Sequence, residues 1–481
     1  MSLYAPQFNQ LILGIPEVGL QTYEYFDDAQ GLRNRAKADF MASRSTQPDI
    51  AYPLLEWAPL EETVELLSLL GKVASDVDGF SDIEREAYQG TIDYRRREAE
   101  FLLMARDLNR PETPDFTNAI YNFQERNEEL YGRPDQALID ATVVEIRGKI
   151  GQKGYKGYTQ DIFDEVQETL TSLTSGNESE GLPRLTDDTE AFLKERIEAF
   201  FWPEREAVAR TRAIMEDEGE TAFDPYRLMQ VFMRGLQTRD QLDEVGVFLK
   251  SGSFLSWSQK REGVEIGRDR AVLESDGDAF GITVHEGGVH KERFINGRAS
   301  SIPIFGNGLI IPAGPQVQAT SLPFEEGIAN MYQELANGKN EGWTMANFTY
   351  LLNTAMAYKG LTYRGIYDKN WKLRTLMMAE DGTEVTPKEM QKAQRLAYDS
   401  TLRVHRGTPI ARMAVDEAVA TYNKDLAYQV GRVQALDFWN QHVGNDTMFE
   451  FLLAGKFDPT NPRHLAIAHA ATGGKYVNAG R

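Results

Sequence analysis

The sequence predicts a helix-rich α+β protein. Apolar residues recur at helical spacing over several long stretches. Short runs of period two, broken by glycines, are confined to the interval between Phe248 and Arg270. The 481 residues are 41% apolar and 10% aromatic, enough to bury a sizeable core.

The first 45 residues mix aromatics with Gly and Gln and show no clear period. From Pro59 the pattern becomes helical, with Leu60, Val64, Leu67 and Leu70 on one face and Pro59 suited to the first helical position. Ser81 and Glu84 form a capping-box pair. They open a long helix through Ile92, Ala99 and Leu103, whose solvated face is expected at Arg95, Arg96, Arg97 and Glu98. Helices are read again over about 160–175 and from Asp187 to about Glu216, with Pro203 splitting the second. Ser175 to Pro183 and Glu216 to Pro225 read as loops. Glycines 252, 263 and 267 punctuate the next stretch, where Val264 and Ile266 flank Glu265 as a short strand. That strand is either an edge strand or a partner for an extended substrate. Helical periodicity returns after Asp276 and dominates from Met345 onward.

Several classes are excluded. There are no cysteines, so disulfides, thiolate metal sites and cysteine nucleophiles are out. Any transition-metal site must use His, Asp and Glu. The longest apolar run, Ile302 to Ala313, is too short to span a membrane and is broken by Pro303, Gly306, Asn307 and Gly308. The opening Met1-Ser-Leu-Tyr-Ala-Pro shows no basic region before an apolar run, so no signal peptide and a cytoplasmic location are expected. A formal charge of −21 repels phosphate backbones and anionic membranes, which argues against both as partners.

The six histidines all lie at or beyond His285, and two fall in His285-Glu-Gly-Gly-Val-His290. Metal-assisted hydrolysis needs converging imidazoles, a third ligand, an open position and a carboxylate beside the water. On an ideal helix five steps set the two imidazoles about 140° apart, too far to chelate. A π-bulge returns them to nearly one face. Gly287 and Gly288 lie where such a turn is required. Pro323-Phe-Glu325-Glu326-Gly327 then reads as a helix start with two carboxylates in its first turn, either of which supplies a third ligand or complements the dipole.

The order His285-Glu-Gly-Gly-Val-His290, Asn296-Gly-Arg298, Gly308-Leu309, Glu326-Gly327 resembles the bacterial QEGLP-motif proteins and their relatives, the microtubule-associated tyrosine carboxypeptidases. Arg403-Val-His-Arg406-Gly407 (after Thr401-Leu402) resembles the family's R-x-x-R-G element. Lys424-Asp425-Leu-Ala-Tyr428-Gln-Val-Gly431 resembles K-D-x-x-Y-x-x-G, and Leu130-Tyr131-Gly132-Arg-Pro134 resembles LYGxP. The likeness runs from about residue 50 to about 445 and is specific from 285 onward. Gly287, Val289, a longer Arg298–Phe324 segment and Phe324-Glu325 depart from the family pattern and leave the pocket shape open.

The resemblance implies a zincin-like metallopeptidase with its small sheet next to the metal-binding helix, and one Zn²⁺ per chain held by His285, His290 and Glu326. Glu325 is the rival third ligand. Glu286 is the implied general base, activating the zinc-bound water, and the substrate is a peptide or protein C-terminus. Arg403, Arg406, Lys424 and Tyr428 are candidate substrate contacts, a terminal carboxylate being best gripped by Arg. The alternative is a structural ion-pair network through Asp425. Asn296 and Arg298 are candidate braces behind the metal ligands. His405, His442, His464 and His469 are read as non-catalytic.

On this reading residues 1–45 are an extension, 46–235 a mainly helical region, 236–445 the catalytic region and 446–481 a C-terminal tail. Two other functions remain: a regulatory or binding protein retaining a zinc site without turnover, and a hydrolase of non-peptide amides. A base at Glu286 argues against the first, since a structural zinc site needs none.

Overall fold

A computed structural model describes residues 5–476, except 15–18, 21–26, 51, 53, 54, 57, 111, 178, 241–245, 251–253, 312–319, 339–342 and 417. The opening residues 1–4, Gly252 and part of the Arg298–Phe324 segment therefore lie outside the described residues. The fold is α+β, with many helices and one small mixed sheet. Among the described residues no helix is long and apolar enough to cross a membrane.

Leu60–Ala74 is helical and buries Leu60, Leu67 and Leu70, while Pro59 serves as its N-cap. The Ser81–Glu84 capping box is closed: the Glu84 amide donates to Ser81 Oγ (3.3 Å), and the Ser81 amide donates to Glu84 Oε2 (2.7 Å). The helix it starts, Asp82–Asn109, is not open along the expected charged stripe. Only Arg97 of the four is exposed. Arg95 is buried, Arg96 pairs with Asp93 at 2.7 Å and with Glu100, and Glu98 accepts from Tyr131 OH at 3.2 Å. The reason is packing on more than one side, by Leu60–Ala74 and by Phe116–Tyr131.

Pro203 splits the next helical stretch into Asp187–Phe200 and Trp202–Glu218. Phe201, at the break, is buried. The sheet comprises β1 (Val247–Lys250), β2 (Leu255–Ser258) and β3 (Gly263–Gly267). Its order is β1-β3-β2, with β3 parallel to β1 and antiparallel to β2. The Val264–Ile266 strand is thus central. Both its edges are paired, so it is neither an edge strand nor able to take a substrate strand. The edge that meets the histidine segment is β2.

Among the described residues, most of the buried apolar side chains from Phe8 to Tyr476 form one cluster. The first 45 residues contribute to it. Phe8 meets Phe80 and Tyr88 edge-on at 5.7 and 5.9 Å, and Phe40 meets Tyr363 and Tyr367 at 5.3 and 4.8 Å. The C-terminal segment is equally packed, through Phe449, Phe451, Phe457 and Ile467.

Helices Leu322–Ala336 and Leu426–Gln441 share the most extensive helix–helix contact among the described elements. They cross glycine to backbone. A Cβ on Gly327 would overlap the Gly431 carbonyl, and one on Gly431 would overlap that of Pro323. This closeness sets Glu325 and Glu326 beside the helix that carries Tyr428.

Candidate metal centre

Ser275 caps the helix Asp276–Thr283 by accepting from the Asp278 amide at 3.0 Å. Val284–Lys291 then continues it as a full π-helix. The wider turn does what the His285–His290 spacing requires. The two Nε2 atoms lie 3.2 Å apart, with ring centroids at 4.9 Å. Gly287 and Gly288 admit close neighbours to this turn. A Cβ on Gly287 would enter the Phe232 ring, and one on Gly288 would enter the Phe201 ring. The break at Pro203 therefore supports the site, because it presents Phe201 beneath the π-helix.

Glu326 joins the pair, its Oε1 4.0 Å from His290 Nε2. One ligand atom from each of His285, His290 and Glu326 lies within 4.8 Å of the others. Donors bound at about 2.0–2.2 Å in a tetrahedral site stand about 3.4 Å apart, so a small adjustment accommodates a cation. Two imidazole nitrogens and a carboxylate, with a fourth position open, are the donor set of a hydrolytic zinc site.

Glu325 does something different. Its Oε1 accepts from His290 Nδ1 at 2.7 Å and also meets Lys456 Nζ at 2.7 Å, while its Oε2 lies 3.0 Å from Arg293 Nη1. It stands behind His290 and fixes which ring nitrogen carries the proton. Of the two carboxylates left open by the sequence, the cluster contains Glu326.

Glu286 is buried next to the cluster, with its Oε1 3.9 Å from His285 Nε2. Its Oε2 accepts from the Trp257 amide of edge strand β2 at 2.8 Å. Burial pushes Glu286 up to about 7, against the pull of His290 and the Trp257 amide. Burial and the neighbouring imidazole of His290 push His285 down to about 3. Burial would raise Glu325, but Lys456 and Arg293 hold it well below the carboxylate range. Burial also disfavours a charged His290, yet Glu325 and Glu326 raise it overall. Glu326 is raised by burial.

Tyr428 is felt by the cluster, since the Glu326 charge, followed by burial, raises its phenol. Its ring lies 5.9 Å from that of Tyr350. Arg403 spends its fork on Asp425, with Nε to Oδ2 at 2.8 Å and Nη2 to Oδ1 at 3.0 Å, and donates from Nη1 to Tyr350 OH. Arg406 is buried, 3.8 Å from the same Asp425 carboxylate, and Lys424 Nζ is 4.0 Å from Glu98. The Asp425 network read as the alternative is thus present in the structure.

Asn296 donates to the Leu453 carbonyl at 2.9 Å, and Arg298 donates to Asn307 Oδ1 at 3.2 Å. They brace the helix Glu292–Ala299, which follows the π-helix, against neighbouring loops. The residue standing directly behind His290 is instead Glu325, with Arg293 and Lys456 paired to it in turn. Arg293 was findable as His290+3 on a continuing helix. Lys456, more than 160 positions away, leaves no local signal.

The other histidines take packing positions. His405 Nδ1 meets the Ala420 carbonyl at 3.0 Å, His442 stacks on Phe438, and His469 stacks on Phe451. His464 is buried between the Ile311 and Asp458 amides, which lie 3.2 Å from its Nε2 and Nδ1, and the one ring nitrogen without a proton accepts from its amide. No protein-family model, curated protein or solved structure matches the chain.

Proposed function

We propose that this protein is a zinc-dependent metallopeptidase that trims C-termini. The observation that carries the reading is the meeting of His285 Nε2, His290 Nε2 and Glu326 across a π-helix, with a buried carboxylate, Glu286, beside them. The motif order that resembles the zincin-like tyrosine carboxypeptidases supports it.

His285, His290 and Glu326 would hold the zinc, which when bound would supply Lewis acidity at the site. Glu286 takes the proton of the attacking water and delivers it to the leaving amine. The Trp257 amide holds Oε2, which leaves Oε1 for that transfer. Tyr428, whose phenol is raised by the Glu326 charge, is the candidate donor to a developing oxyanion. Arg403, Arg406 and Lys424 are the candidate cations for a terminal carboxylate, each of which would exchange an existing ion pair, with Asp425 or Glu98, for the substrate's charge.

Metal analysis tests the site first. One zinc per chain is expected by elemental mass spectrometry, and His290→Ala should abolish it. A wild-type chain purified and dialysed with zinc that retains none would remove the reading.

A peptide library read by mass spectrometry tests the substrate. Free C-termini should be cleaved and amidated ones spared. Neutral or basic peptides should outrun polyglutamate-rich ones, because a chain carrying −21 slows the approach of an acidic tail. Internal cuts, or equal cleavage of amidated peptides, would reject the exopeptidase reading.

A further inference from the structure

We infer that Lys456 and Arg293 are positioning residues of the metal centre, acting on His290 through Glu325, and that the segment Gly455-Lys456-Phe457 is a built part of that centre. The inference rests on the metal reading proposed above and extends it to residues far from the histidine motif.

The geometry is specific. Arg293 Nε donates to the Gly455 carbonyl and Nη2 to the Phe457 carbonyl, each at 2.7 Å. One guanidinium thus grips the residues on both sides of Lys456. The Lys456 backbone is pinned as well: its amide donates to the Phe305 carbonyl at 2.9 Å, and its carbonyl accepts from the Leu309 amide at 2.9 Å. Held at both flanks and by its own backbone, Lys456 has little freedom. Its ammonium ends 2.7 Å from Glu325 Oε1, the same oxygen that accepts from His290 Nδ1 at 2.7 Å. The third nitrogen of Arg293, Nη1, lies 3.0 Å from Oε2 as an ion pair.

Three charged side chains are spent here with almost no solvent contact. Arg293 is 0% exposed, Glu325 4% and Lys456 8%. Burying charges is costly unless they are paired and have a purpose that an apolar set cannot meet. The purpose is visible in what Glu325 touches. With its Nδ1 committed to Glu325, His290 turns its Nε2 toward His285 and Glu326. Lys456 and Arg293 fix where the Glu325 oxygens stand, so they fix the ring plane of His290. Partners behind a ligating histidine are worth about 10–100-fold in metal affinity.

The test uses the full chain and measures zinc affinity by competition with a chromophoric chelator. Lys456→Met and Glu325→Gln should each weaken zinc binding by about 10–100-fold. The double variant should be little weaker than either single one, because both break the same path. Lys456→Arg, which keeps a cation, should recover part of the loss. The visible spectrum of the cobalt-substituted protein supplies a readout that a merely structural role would not move. Lys456→Met should alter the band positions of the bound cobalt, since the His290 ring is no longer held. If Glu325→Gln does not fold, Lys456→Met and Lys456→Arg carry the test alone. Wild-type affinity and an unchanged cobalt spectrum in Lys456→Met would overturn this inference and leave the metal reading standing. A wild-type chain that binds neither zinc nor cobalt would overturn both.

Discussion

Glu286→Gln is expected to lower peptide turnover by about 10²–10⁴-fold, the range for loss of a general base, while metal content stays at the wild-type level. Glutamine keeps the shape and keeps an oxygen to accept from the Trp257 amide, which at present donates to Oε2 at 2.8 Å. It removes only the proton acceptor. Glu286 stands outside the trio of His285, His290 and Glu326, so the cation loses no ligand. Stability should not fall. Burial pushes Glu286 up to about 7, so its ionised form costs folding energy that a neutral amide does not. Turnover on a peptide found in the library, metal content and thermal midpoint, measured on one preparation, check the three statements together. Wild-type turnover in the variant would remove Glu286 as the base.

Gly431→Ala is expected to be among the most damaging single-methyl changes in the chain. The added Cβ would overlap the Pro323 carbonyl, and what it meets is backbone, not the end of a flexible side chain. Overpacking costs about 1–3 kcal/mol where neighbours can give, so about 3 kcal/mol or more is expected here. The displaced helix Leu322–Ala336 carries Glu325 and Glu326, so zinc affinity should fall with stability. The control is Gly148→Ala, on the helix Gln136–Gly151, where an added Cβ meets nothing within 4 Å. That change should be neutral or stabilising, by up to about 1 kcal/mol, through helix propensity alone. Thermal unfolding of the two variants measures the contrast, and equal midpoints would show that the helix crossing tolerates a methyl group.

Both predictions draw on features with different sequence legibility. The Ser81–Glu84 cap, the break at Pro203 and the helical return after Asp276 are local, set by residues within a few positions of each other. The π-turn was legible for a related reason: the five-residue histidine spacing fits chelation on a π-turn and not on an α-helix. The charged face of the Asp82–Asn109 helix was not legible, because which sides of a long helix are covered depends on which helices come to pack there. The central position of β3 was hidden likewise. A four- or five-residue run of alternating residues looks the same at the centre of a sheet as at its edge, and strand order is a long-range property.

The amino-acid sequence by itself determined the fold class, the local helix signals and the grouping of His285, Glu286 and His290, since all of these follow from spacing along a few turns of chain. It narrowed the second carboxylate to Glu325 or Glu326 and could go no further. Adjacent helical residues are about 100° apart, so one joins the histidines and the other stands behind them, and the helix phase that decides is set where Gly327 meets Gly431. The tertiary structure alone decided that division of labour. It also brought Lys456 to Glu325 from beyond residue 450 and placed the Trp257 amide on Glu286. Such contacts are made by chain crossings rather than by periodicity, and a single sequence carries no local trace of them.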